Sequence, residues 1–118
     1  MKIRVLVVEP SKAPRVETIE NTLEAMQKVV GGYIEPVTPL IHDDDAILIC
    51  NEEGKLLDLP ISALLCDGDG NVYDAVCGTF FICKAPEDSE DFESLTDEQI
   101  AKYSWIYSVL QPVELWED

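Results

Sequence analysis

Positive charge is scarce in this chain. Eight lysines and arginines stand against twenty-four acids in 118 residues, giving a formal charge of -16 and a pI near 4.1. A phosphate backbone or an anionic bilayer surface would be repelled by that field, so direct nucleic-acid binding and membrane docking are both excluded as expectations. Long apolar runs are missing as well: no stretch approaches the roughly 18–20 residues that cross a bilayer, and Met1 to Pro10 lacks the layout of a signal peptide. A cytoplasmic protein is expected. The four cysteines (Cys50, Cys66, Cys77, Cys83) form no Cys-x-x-Cys pair, and in a chain without an export signal they are expected to stay reduced and buried. Nucleotide-binding glycine motifs, the nucleophile elbow and the His-Glu-x-x-His zinc motif are all absent, so neither dedicated enzyme chemistry nor a cofactor is expected.

What is present is enough apolar material, 47% of residues, to build one core in a chain of single-domain length. The charge is unevenly placed. Five cations and five acids balance in the first 41 residues, whereas three cations face nineteen acids from His42 onward. If that polarity survives folding, the molecule carries one strongly negative face able to steer toward a basic partner, with an attraction that weakens in salt. Solubility is the plainer use of the same acids.

The apolar, β-branched run Ile3 to Val8 reads as a buried strand that ends at Pro10, and Ser11 to Pro14 as a turn. Arg15 to Glu20 has the alternation of a short strand. Asn21 and Glu24 have capping-box spacing, with Leu23, Met26 and Val30 as the apolar stripe of a short helix that stops at Gly31 and Gly32. Two prolines make Tyr33 to Leu40 an edge strand or extended segment, and Ala46 to Cys50 is a compact strand. Asn51 to Lys55 reads as a hairpin-type turn with Gly54 at positive φ, and Pro60 is placed to start a helical turn through Ser62 to Leu65. After a turn at Asp67 to Asn71, Val72 to Val76 leads into a buried strand from Cys77 to Cys83, which would set those two thiols on one face. Lys84 to Leu95 has the polarity of a solvated acidic loop. Thr96 and Gln99 form a second capping box for a helix over 96–110, whose Ile100, Tyr103, Ile106, Tyr107 and Leu110 share a face, and 111–118 is a tail. The predicted architecture is a single α+β domain over 1–118, a mainly antiparallel sheet with two or three helices packed on it.

Several clusters invite a chemical reading. Asp67 to Asn71 repeats oxygen ligands at alternate positions as calcium loops do, but the sixth position is Val72 and the twelfth is Gly78, where such a loop needs glycine and glutamate. It reads as a turn. His42 with Asp43, Asp44 and Asp45 offers a cation or acid-base site, yet one histidine makes no metal motif and the cluster also serves as a charged loop capping a sheet end. Two features stand out further. Glu87, Asp88, Glu90, Asp91, Glu93, Asp97 and Glu98 form either a solvated segment or a functional negative surface, with Asp97 and Glu98 suited to a helix N-terminus. Trp105 and Val109 project away from the helix stripe and Trp116 follows in the tail, so the tryptophans either fold back as core or anchor a protein interface.

The stretches Val7-Val-Glu-Pro-Ser-Lys-Ala-Pro14, Asn21 through Glu35, Asn51-Glu-Glu-Gly-Lys55 and Tyr73 through Ile100 resemble a family of small acidic proteins known as a domain of unknown function, met mainly on phages, plasmids and conjugative elements of Gram-positive bacteria. Gly31-Gly-Tyr-Ile-Glu35 and Gly78-Thr-Phe-Phe-Ile-Cys83 are its most specific parts, and the likeness covers most of residues 1–103. The resemblance implies a mobile-element setting and supplies no catalytic residues. In that setting the expected function is an acidic nucleic-acid mimic that inhibits a basic nucleic-acid-binding protein of host defence, of restriction or CRISPR type. Two rivals are a sponge for a small ligand such as a nucleotide signal, held near Lys12, Arg15 and Gly31 to Tyr33, and an accessory factor that forms a homodimer through Trp105 and Trp116.

Overall fold

The β-branched run at the start of the chain forms strand β1 (Lys2–Val8), which pairs antiparallel with β2 (Arg15–Glu20) across the turn at 9–14. The computed structural model describes residues 1–37, 45–67 and 69–109. Helix α1 (Leu23–Val30) follows, then β3 (Ile34–Val37), β4 (Ala46–Asn51), β5 (Ile61–Cys66), β6 (Val72–Cys77), β7 (Phe80–Lys84) and α2 (Asp97–Val109). Five strands make one antiparallel sheet in the order β2-β1-β7-β4-β3, and β5 with β6 makes a separate two-stranded sheet.

Alternation along the strands divides the interior into two halves. Ile3, Val5, Val7, Ile49, Phe81 and Cys83 turn to the face covered by Met26 and Val30 of α1. Leu6, Val8, Leu48, Phe80 and Ile82 turn to the opposite face, where Ala63, Leu65 and Val76 of the small sheet and Tyr103 and Tyr107 of α2 close over them. The molecule is thus an α+β fold of three layers with two described helices, at the lower end of the expected number.

At the rim, Tyr33 O accepts from Glu52 N at 2.8 Å, so residues 33, 35 and 37 bond toward β4 while Ile34 and Pro36 turn their backbone groups away from it. The proline sits in an edge strand, as its missing N–H requires.

Several local expectations are corrected. The helix cap is Thr22, whose Oγ1 accepts from Ala25 N at 3.1 Å, while the Asn21 amide donates instead to Phe92 O at 3.1 Å. Leu23 therefore falls at the first helical position and stays 55% exposed. Residues 61–66 are strand rather than helical turn, because pairing with β6 buries Ala63 and Leu65 and lets the Ser62 hydroxyl bond the carbonyls of Gly78 and Val76 at 2.6 and 3.0 Å. Pro60 precedes the strand, where its missing N–H breaks no ladder bond.

The run Val72 to Cys83 is two strands in two sheets. Gly78, at φ +90°, breaks it, so Cys77 and Cys83 do not share a face. Gly54 does not take positive φ, and its turn links strands of different sheets rather than a hairpin. Its constraint is space, since a Cβ there would lie 2.3 Å from Cys77 O.

Helix α2 buries Tyr103 and Tyr107, with Tyr107 edge-on to Phe80 at 5.3 Å between ring centres. The Tyr107 hydroxyl is fully enclosed and finds no hydrogen-bond partner among the described residues. A buried donor left unpaired costs about 1 kcal/mol or more. Tyr107→Phe is expected to raise the unfolding free energy by about 1 kcal/mol, seen as a higher urea midpoint at unchanged slope. Gly31 and Gly54 separate two kinds of glycine requirement. Gly31→Ala, with open space but φ +81°, is expected to cost about 1 kcal/mol, whereas Gly54→Ala, which must push backbone aside, should cost more than about 2 kcal/mol. Equal losses in denaturant titrations would refute the close approach.

Candidate functional site

The chain leaves β7 at Lys84 and doubles back at once. Lys84 and Glu93 exchange backbone hydrogen bonds of 3.0 and 2.8 Å, and Ala85 N donates to Asp45 O at 2.6 Å. Ser89 N closes a turn onto Pro86 O, and Ser89 Oγ accepts from Asp91 N. The segment is then fastened to β1: Arg4 N donates to Ser94 Oγ at 2.8 Å and Leu95 N to Arg4 O at 3.0 Å. Two apolar residues secure it, Phe92 against the α1 side of the core and Leu95, 2% exposed, on the α2 side. The stretch read from sequence as a solvated loop is therefore a strap with a fixed backbone and solvated carboxylates.

The capping box at its end forms as predicted. Gln99 N donates to Thr96 Oγ1 at 3.1 Å and Thr96 N to Gln99 Oε1 at 2.9 Å, so α2 starts at Asp97 with Asp97 and Glu98 in its first turn. Arg4 reaches Asp97 at 2.5 Å. Glu90 and Asp91 lie in a hollow with Asn21, Thr22 and Leu23 at the start of α1. The acidic strap thus runs between two helix N-termini, whose partial positive charge offsets part of the repulsion among its carboxylates.

Asp45, at φ +62°, joins this end through an open hollow of about 520 Å³ lined by Asp45, Lys84, Thr96, Glu98, Gln99 and Lys102. Of the residues expected to meet a partner, Asp45, Glu87, Asp88, Glu90, Asp91, Glu93, Asp97 and Glu98 are all exposed near this end of the sheet. Asp43, Asp44, Trp116, His42, Leu110 and the tail at 111–118 lie outside the described residues. Trp105 is 70% exposed on α2, and so is an outward side chain rather than core. Sequence reasoning missed the two lysines of the hollow and the anchors Phe92 and Leu95. The spacing of the latter pair, apolar residues three apart in a polar run, was the available signal.

Other candidate chemistry is weaker. Among the described residues no three His, Cys, Asp or Glu side chains converge as a metal site. Asp67 Oδ1 accepts from the backbone N–H groups of Asn71 and Asp69, both at 2.9 Å, which holds its carboxyl below the usual range and fits a turn. Near the proposed ligand sponge, Arg15 is ion-paired with Glu9 and Glu17, and Lys12 with Glu9; the hydrogen bond from Arg15 is the main cause of a lowered Glu9 pKa. The cavity touching Gly31 is lined by Pro10, Val29, Val30, Leu57 and Leu59 rather than by those cations.

Fold and surface together define an antiparallel α+β protein with helices on both faces of its sheet and a strapped acidic end. The chain belongs to the family described as "Domain of unknown function (DUF3846)", whose profile matches residues 1–108. No curated protein and no solved structure matches it. The match extends beyond Tyr103 into the last turns of α2 and so includes Trp105, which the sequence resemblance had left outside.

Burial, the main cause, pushes the Cys50 thiol up to about 11 and the Cys83 thiol up to about 12. A thiol is reactive only as thiolate, so both are protected at neutral pH. A disulfide reagent applied to the native protein near pH 8 is expected to modify the half-buried Cys66 and Cys77 and to spare Cys50 and Cys83 until urea is added. Mapping the labelled peptides checks this, and native-state labelling of Cys83 would contradict the packing.

Proposed function

We propose that the chain is an acidic binding protein that acts as a nucleic-acid mimic, inhibiting a basic nucleic-acid-binding protein by occupying its phosphate-binding channel. The setting implied by the resemblance is a mobile element, and the target class is a host-defence complex of restriction or CRISPR type. One observation carries the reading: carboxylates from separate stretches of chain, at Asp45, at 87–93 and at 97–98, gather near one end of the sheet on a hydrogen-bonded backbone. Carboxylates carried on a fixed backbone replace phosphates at lower entropic cost than a flexible tail, because less ordering remains to be done on binding. The charge balance supports the same mechanism. A partner that releases counterions on meeting the acidic end binds more weakly as salt rises.

The test uses immobilised protein, host lysate and stepped salt elution, followed by a competition assay between the captured protein and its nucleic acid. The variant carrying Glu87→Lys, Glu90→Lys, Asp91→Lys and Glu93→Lys is expected to lose inhibition by at least about tenfold while its far-ultraviolet circular dichroism stays unchanged. Retained inhibition, or an interaction indifferent to salt, would overturn the reading.

A further inference from the structure

The outward face of α2 sets exposed apolar side chains beside carboxylates. Asp97, Ala101, Trp105 and Val109 recur at intervals of four and are all exposed, so they form one ridge along the helix. Glu98 and Ser108 flank it and are exposed too. The ridge begins in carboxylate and ends in an aromatic and a valine, with no arginine or lysine at any of these positions. Asp97 is held by Arg4 at 2.5 Å, and its neighbour Glu98 lies about 10 Å from Trp105 along the axis. Lys102, beside the ridge, lies over the Tyr103 ring at 5.0 Å.

We infer that this ridge docks an arginine-bearing segment of a protein partner, with Trp105 receiving a guanidinium on its face while the exposed Glu98, beside the Asp97 that Arg4 holds, receives a neighbouring cation. The inference rests on the mimic reading and adds to it the kind of cation recognised. Charge complementarity selects the occupant: a second copy of a chain carrying -16 would bring like charge to the same ridge. The choice of arginine over lysine follows from the side chain. A planar guanidinium stacks on an indole and forks onto a carboxylate, whereas a strongly hydrated ammonium does neither as well.

The test compares oligo-arginine and oligo-lysine peptides of equal length, titrated at low salt into the full chain and into Trp105→Leu, with Trp105→Phe as the conservative variant. Trp105→Leu is expected to weaken oligo-arginine by about threefold and to leave oligo-lysine unchanged, and Trp105→Phe to recover part of the loss. Equal effects on the two peptides would overturn the inference while leaving the mimic reading intact. Failure of both peptides to bind the unaltered chain, at salt low enough for surface attraction, would count against both. Concentration-dependent self-association of the chain that Trp105→Leu abolishes would also overturn it, because the ridge would then belong to a second copy.

Discussion

Strand β7 has no solvent-facing side, and the rest of the molecule follows from that. Phe80, Phe81, Ile82 and Cys83 are all fully buried, two toward each face of the sheet. An antiparallel sheet with one wet face needs a single covering layer, but a strand of this kind needs two. Helix α1 supplies one, and α2 with the β5–β6 sheet supplies the other. Each buried phenylalanine contributes about 2–3 kcal/mol, so the strand is a large share of the driving force. It also arrives late. The β1–β2 hairpin and the β3–β4 pair stay separate until residues 80–84 enter between them, which makes the contacts that complete the sheet non-local.

The acidic end depends on the same strand. Where β7 stops at Lys84, β1 continues back to Lys2, and the strap from 93 to 95 takes up part of the exposed backbone of Arg4. That is why a run of carboxylates can be ordered without a cation for each. Its conformation is fixed by backbone bonds and by Phe92 and Leu95, while the two helix termini moderate the repulsion. Charge and order, usually opposed in a segment of this composition, coexist because different atoms serve them.

Much of the fold was legible in the sequence where local chemistry and burial agree. β1, β2, β4 and the Thr96–Gln99 box announce themselves through β-branched runs, alternation or a reciprocal cap, and they form where the pattern puts them. The misreadings fall where a tertiary neighbour decides. Residues 61–66 are strand because β6 lies alongside, and Gly54 is needed because Cys77 O approaches it, neither of which a local window contains. Thr22 caps α1 in place of Asn21 because Phe92, 71 residues away from the asparagine, claims its amide. At the candidate surface the acids were legible as residues. Their assembly from Asp45, the strap and the start of α2 was not, since it depends on how β4 and β7 align.

The position of Pro36 bears on how the open sheet avoids becoming a polymer. An edge strand offers its outward N–H and C=O groups to any extended chain that passes, and β3 breaks that offer at the residue whose amide would have pointed outward. At the opposite margin β2 keeps its outward groups but carries Arg15 and Glu17 as an ion pair at its entry. Strand addition is therefore blocked by covalent structure on one side and only guarded by charge on the other. Of the two margins of the five-stranded sheet, the one at residues 15–20 is the one from which a destabilised or crowded sample would grow.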